Sequence, residues 1–321
     1  RNQKAIKINY VYKSKETISQ DLVQALARGE GPDLFMLPQD QLLGTLDKIS
    51  LIPYKTYSER AFKDTFIEDG ELYLKSQGIV GIPFVVDPMV MYWNRDILTS
   101  AGIVSPPQRW AQFYEMAPKV VVRDQQNNLT RSFVPFGEYQ NVTHAKDLIS
   151  MLILQSGNSI VIQEGGILHV DIALDSSALS PSARSISFFT EFSRKEKDVY
   201  SWNRSLPDSR SAFEAGDLAL YFGYASEYSA IHERNPHLNF DIASMPQADQ
   251  VSKRLTYGNI QAISIAKASK NQAGAMYAAL VLTQPQVIKD VSVSINLPPV
   301  RRDLLVTPPS DAINSVFYDS A

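Results

Sequence analysis

The chain has 321 residues, of which 44% are hydrophobic, 20% charged and 10% aromatic, enough to bury a large core and to divide into two domains. Disordered, collagen-like and low-complexity architectures are excluded. Lys plus Arg number 31 against Asp plus Glu 34, a net charge of -3, which leaves no electrostatic footprint for nucleic acid, and the absence of cysteine removes disulfides, thiolate nucleophiles and iron–sulfur clusters.

In chain order, Ile6, Ile8, Tyr10 and Tyr12 alternate at period two, which predicts a strand. A helix follows Ser14 or Lys15, with Ile18, Leu22, Ala25 and Leu26 on one face and Gly29 where a left-handed helix end is wanted. GPDLFMLP then gives a turn and a short buried strand over 34–37. A strand, helix, strand unit implies a parallel sheet and an α/β class. Ligands in such sheets sit beyond the carboxyl ends of the strands, so the loop 38–42 is a candidate site.

The stretch 79–93 carries Pro83 and Pro88, neither of which can donate to a ladder; it reads as two strands joined by an extended crossing segment around Asp87 and Pro88. Asn94 is placed to cap a short helix, RDILTSAG, with Asp96 in its first turn and Gly102 at its end. After Pro106 and Pro107, a helix carries Trp110, Phe113, Tyr114 and Ala117 on one face. Helices are predicted over 143–156, 181–197, 209–215, 271–282 and 285–292, and strands over 218–222 and 260–266. No apolar run reaches the roughly 18 to 20 residues that a membrane helix needs.

Catalytic and cofactor signals are weak. The histidines, His144, His169, His232 and His237, fall in no HxH or HExxH spacing, and GxGxxG, GxxxxGK[ST] and GxSxG are missing. No metal, no cofactor and no catalytic set is therefore expected, and each His reads as a surface or hydrogen-bonded residue. Asp87, Glu138 and Glu227 could be paired for a glycosidase, but sequence spacing does not establish the roughly 5 to 10 Å separation that chemistry needs. The glycosylation pattern at Asn128, Asn141 and Asn203 reads as chance.

Polar and aromatic residues do collect at predicted strand ends: Gln39, Asp40, Phe84, Asp87, Glu138, Tyr139, Trp202, Asn203, Tyr224, Glu227, Tyr257 and Asn259. A sugar presents hydroxyl edges and apolar ring faces, so its site needs carboxylates and amides in the plane and aromatics above it. The competing reading, aromatics in the core and acids on solvated loops, stays open for each residue.

GEGPDLFMLPQDQL, GIVGIPFVVDPMVMYWNRDILTSAGIVSPPQRWAQF, AFEAGDLALYFGYASE, NFDIASMPQ and INLPPVRRDLL, in that order from Ile6 to about Leu305, resemble the extracellular solute-binding proteins of ABC importers, in the group similar to maltose-binding protein. The most specific block is G-x-P followed by Y-x-N-[KR]-D-x-[LF] with AGI and PP after it. The resemblance implies a two-lobed periplasmic-binding-protein-like α/β fold of type II, its lobes joined by hinge crossovers. The first lobe would comprise 1–86 plus 260–297 and the second 90–256 plus 298–321, with hinges near 87–91 and 257–261. It also implies a strand, a turn and a helix ahead of the segment matching KIKINYVY and further helices at the tail, so the sequence reads as short at both ends.

Residue by residue, the resemblance makes Gln39 and Asp40 a first-lobe loop with polar ligand contacts, Asp87 a hinge carboxylate, and Glu138 with Tyr139 an acid and aromatic pair on the second lobe. Tyr224 lies beside the family's aromatic platform, and Trp202 is a looser match. Phe84, Tyr257 and Asn259 complete the expected ligand set. Trp93 replaces a usual Tyr and reads as core, and Arg109 stands where a helix-capping Thr is usual, which should weaken that cap. The implied function is a non-enzymatic receptor that binds a sugar or oligosaccharide in the interlobe cleft and delivers it to the transmembrane subunits of an ABC permease. A monomer in the periplasm or at the outer face of the cytoplasmic membrane is expected. A non-sugar solute (polyamine, phosphorylated polyol or peptide) and a glycoside hydrolase using Asp87 and Glu138 are the alternatives.

Overall fold

The computed structural model describes residues 7–14, 17–164, 167–172, 180–249 and 254–321. Five strands organise it: β1 (Leu34–Pro38), β2 (Ile82–Asn94), β3 (Leu220–Tyr224), β4 (Phe240–Ala243) and β5 (Gly258–Ala266). The chain divides into two compact units, one of residues 1–87, 258–309 and 321, the other of 88–257 and 310–320.

In the first unit β5 is central. β1 pairs with it antiparallel from Leu34 against Ile265 to Pro38 against Gln261, and the short strand Ile49–Ser50 is also antiparallel to it. The expected parallel sheet is thus not what these ladders form. The helix Ile18–Ala27 does precede β1, but β5, from far along the sequence, takes the neighbouring place and runs the other way. Leu37, Ile82, Val86, Ile260 and Ile265 are buried there with Phe62, Phe66, Tyr73 and Ile288. The helix Gln272–Leu282 buries Ala275, Ala278 and Ala279, small side chains that suit a close approach to the sheet.

Two further expectations fail in this unit. Residues 7–14 form no strand; Tyr10 and Tyr12 are 80% and 74% exposed, and alternation alone makes no strand where no neighbour completes the ladder. Ile6 and Lys15 lie outside the described residues. Residues 298–309 belong to the first unit, not the second: Ile67 N–H donates to the Val300 carbonyl at 3.0 Å, and Arg302 Nε donates to the Phe66 carbonyl at 2.6 Å. The helix Ile18–Ala27 forms as read, burying Leu22, with Gly29 beyond its end at φ 70°, a left-handed conformation that suits glycine.

In the second unit the later half of β2 pairs antiparallel with β3, from Met89 against Tyr224 to Trp93 against Leu220, and with β4. β2 is one continuous strand of 13 residues, not two strands and a crossing segment. Pro88 is tolerated because the ladder with β3 starts only at Met89, whose N–H also donates to the Tyr257 carbonyl at 2.8 Å. Asn94 caps the helix Arg95–Ser100 as expected, its side chain accepting from Ile97 N–H at 3.0 Å.

An aromatic cluster fills this core: the Phe113 ring is stacked with Phe136 at 6.0 Å and Phe222 at 6.4 Å and packs on Trp110 at 5.1 Å. Tyr114 lies at the edge of this cluster, its ring packing on Phe188 and Phe192 at 5.9 and 6.1 Å. It is 42% exposed and donates to Glu191 at 2.8 Å. Arg109 offers no capping oxygen, but Gln112 Oε1 accepts from the N–H groups of Gln108 and Arg109 at 2.8 and 2.9 Å, so that helix start keeps part of its cap. Trp93 is half-buried, with the Arg95 guanidinium 5.8 Å from its ring.

Candidate functional site

Five first-unit candidates lie on or beside β1, β2 and β5. Gln39 opens a single helical turn directly after β1, but its side-chain amide is committed: Nε2 donates to the Gly258 carbonyl at 2.9 Å and Oε1 accepts from Ile260 N–H at 3.2 Å. It therefore ties the loop after β1 to the start of β5, on either side of Asn259, which is half-buried. Asp40 is exposed. Phe84 packs against the apolar core, so its ring serves the fold. Asp87 is the last residue of this unit's stretch of β2 and is half-buried.

In the second unit Glu138 and Tyr139 follow Gly137, whose φ of 97° and close contact with Ser193 leave no room for a Cβ. The turn aims Tyr139 outward, 63% exposed. The Glu138 side chain is only 18% exposed, and Arg204 donates to its Oε2 through Nε and a terminal nitrogen, both at 3.2 Å. Trp202 differs from expectation: it is 1% exposed, and its Nε1 donates to Asn141 Oδ1 at 3.1 Å. The Asn141 amide nitrogen in turn donates to the carbonyls of Asn203 and Leu206 at 2.9 and 3.0 Å. Trp202 and Asn141 thus brace the loop that carries Arg204. Tyr257 is half-buried.

Tyr224 ends β3 and is buried. Its hydroxyl donates to Asp147 Oδ2 at 2.7 Å, its N–H to Glu227 Oε1 at 2.8 Å, and its carbonyl accepts from the Tyr92 hydroxyl at 2.6 Å. Glu227 also accepts from Tyr221 at 2.6 Å and meets His144 Nε2 at 2.7 Å. Burial disfavours the ionised carboxylate of Glu227, but the hydrogen bond and charge of His144, with the bonds from Tyr221 and Tyr224, outweigh it and hold the acid below its ordinary value. Burial, then the neighbouring Glu227, pushes the Tyr221 phenol up. A carboxylate so committed is a poor general acid, and Glu227 drops out as a glycosidase acid.

Sequence reasoning missed this cluster. The signals were present in principle: His144 and Asp147 are three apart, Arg210 and Glu214 are four apart and paired at 2.9 Å, and Glu227 stands three after Tyr224. Nothing in those spacings says that helices far apart in sequence would meet at β3. His144 is hydrogen-bonded, as read, yet it sits at φ 61° and starts the helix Ala145–Gln155, one residue after the Thr143 expected to open it.

The sequence profile of bacterial extracellular solute-binding proteins matches residues 2–286. The chain belongs to this family. A binding protein of Brucella abortus (strain 2308) is 23% identical over 277 residues, 83% of this chain and 62% of its own length. The chain thus spans under two thirds of the length of the curated relatives it matches. Its fold is that of the two-lobed α/β proteins of this family. A cyclo/maltodextrin-binding protein complexed with maltotetraose aligns with a TM-score of 0.72 at 15% identity, covering 97% of this chain and 75% of the other. The UgpB protein of Mycobacterium tuberculosis in complex with glycerophosphocholine aligns with a TM-score of 0.70 at 15% identity, over 96% and 75%. Among the described residues no helix is long and apolar enough to cross a membrane, and none of the His, Asp and Glu groups could hold a metal in a set of three.

Proposed function

We propose that the protein is an extracytoplasmic receptor of an ABC importer that binds a sugar or oligosaccharide and hands it to a membrane permease without chemical conversion. The observation that carries the reading is an exposed Tyr139 next in sequence to the half-buried, Arg204-bound carboxylate of Glu138: an aromatic ring and a charged hydrogen-bonding pair on one turn, the residue types a sugar site needs. Family membership and the maltotetraose-bound relative support it. Asp40, Asp87, Tyr257 and Asn259 are expected as further contacts to the solute, and the receptor is expected to act as a monomer. Domain closure on binding is a general behaviour of periplasmic binding proteins. A micromolar dissociation constant needs about 8 kcal/mol, within reach of several hydrogen bonds and one or two stacked rings.

Isothermal calorimetry against maltotetraose, mannotriose and cello-oligosaccharides tests this. Saturable binding without hydrolysis products supports the receptor; turnover of a chromogenic glycoside that Asp87→Asn abolishes would instead establish a hydrolase. A second reading, a phosphorylated polyol as solute, is favoured by Arg204, whose side chain is 73% exposed and would meet an anionic group. Binding of glycerophosphocholine that Arg204→Gln abolishes, with no binding of the sugars, would select it.

A further inference from the structure

We infer that Glu138 determines the class of solute: by pairing with Arg204 it turns an exposed cation into a charge-neutral couple of donor and acceptor, which takes a sugar hydroxyl and rejects an anion. The solute is then an uncharged saccharide. The inference deepens the sugar reading and rests on this turn meeting the solute; it weighs against the phosphorylated polyol.

The ion pair uses only part of each partner. Nε and one terminal nitrogen of Arg204 both donate to Glu138 Oε2 at 3.2 Å. A guanidinium has five N–H donors, so three remain, on a side chain that is 73% exposed. Among the described residues nothing donates to Glu138 Oε1. The buried side-chain polar atom left without a partner there is Ser320 Oγ, so Oε1 opens to solvent. An unused carboxylate oxygen and three unused N–H groups therefore belong to one ion pair, with the exposed ring of Tyr139 next in sequence.

The backbone on both sides of Arg204 is tied down. Trp202 is buried and donates to Asn141 Oδ1 at 3.1 Å. Asn203 Nδ2 donates to the Tyr200 hydroxyl at 2.8 Å, while Asn203 Oδ1 accepts from the Ser205 N–H at 2.9 Å and the Ser205 hydroxyl at 2.6 Å, a side-chain turn. Asn141, on the same loop as Glu138, donates to the carbonyls of Asn203 and Leu206 at 2.9 and 3.0 Å. The two partners thus stand on loops that are joined to each other. An ion pair between free surface side chains contributes little; here the loops that carry it are already ordered.

A hydroxyl both donates and accepts. It can donate to Oε1 while it or its neighbour on the sugar ring accepts from Arg204. An ionised phosphate or carboxylate only accepts, so it meets Arg204 but sets its charge against Glu138 and leaves Oε1 without a donor. Arg204 alone would favour the anion. Discrimination between two solutes comes from such a clash as much as from a contact.

The test uses maltotetraose as the neutral probe and inorganic phosphate as the anion, on the wild-type protein and on Glu138→Gln, which keeps the shape and removes the charge. Calorimetry should show maltotetraose binding about tenfold weaker in Glu138→Gln, the scale of one charged hydrogen bond. The 15N signal of Arg204 Nε, assigned by Arg204→Lys, should shift with phosphate in Glu138→Gln and stay unmoved in the wild-type protein. Phosphate that moves this signal in the wild-type protein overturns the proposal, and so does a Glu138→Gln protein that loses sugar affinity without admitting phosphate. Maltotetraose that binds while leaving the Arg204 signal unmoved shows that the solute sits elsewhere, and overturns it too. If maltotetraose does not bind at all, the sugar reading fails, and the phosphate response of Arg204 in the two proteins alone supports or overturns the charge-cancelling role of Glu138. Should Glu138→Gln not fold, the wild-type protein decides: an Arg204 signal moved by maltotetraose and unmoved by phosphate supports the proposal, and any other pattern overturns it.

Discussion

Gln39 and Gly258 are joined side chain to backbone, the amide nitrogen donating at 2.9 Å while the same amide's oxygen takes the N–H of Ile260 at 3.2 Å. One side chain therefore fixes where the loop after β1 meets the start of β5. Gln39→Glu removes the donor and sets a negative charge against a carbonyl, and should cost about 1 to 3 kcal/mol of stability, read from urea denaturation. A variant of unchanged stability whose solute affinity collapses would show that Gln39 acts as a ligand contact instead.

Tyr73 performs a related task deeper in the first unit. Its fully buried hydroxyl donates to the carbonyls of Leu37 and Ile260 at 2.9 and 3.0 Å, joining β1 to β5, and burial pushes its ionisation up. Tyr73→Phe leaves the shape and removes the donor, so both carbonyls lose a partner. A loss of about 1 to 3 kcal/mol is expected, and an unchanged urea midpoint would refute the bridging role.

Local chemistry was legible where a side chain acts on its own neighbourhood. Asn94 was readable as a cap because the cap is three residues from the N–H it serves, and Gly29 as a helix end because its φ of 70° is a local demand. Strand pairing was not: β5 displaces the parallel partner expected for β1 from more than 200 positions away. The sequence also could not separate Trp202 from Tyr139, since aromatic residues near strand ends look alike until burial is known. The polar cluster under Tyr224 lies further still from view, drawing Asp147, Arg210 and Glu227 from three separate segments.

Trp202 and Tyr139 can be told apart by experiment. Trp202→Ala should cost about 3 to 5 kcal/mol, as large-to-small changes in a core do, because the ring is buried and its Nε1 bond to Asn141 is lost. Tyr139→Ala, at an exposed position, should leave the stability within about 0.5 kcal/mol of wild type and weaken solute binding. Equal stability losses in the two variants would contradict this division between frame and surface.

Glu227 predicts how the second unit responds to acid. Its carboxyl is held below the ordinary value in the folded state, burial being outweighed by His144, Tyr221 and the Tyr224 N–H. A folded value below the unfolded one, roughly 4.3 for a Glu, means stability that is fully present above the unfolded value and lost as pH falls through the folded one. Glu227→Gln cannot take up that proton. It should therefore be less stable than wild type by about 1.5 to 3 kcal/mol at neutral pH, the range for hydrogen bonds to a charged group. The gap should narrow steadily as the pH drops below the unfolded value, because the wild-type carboxylate becomes neutral as well. Urea midpoints of both proteins across that acid range decide the matter, and a gap of constant size would mean that the charge of Glu227 contributes nothing to the fold.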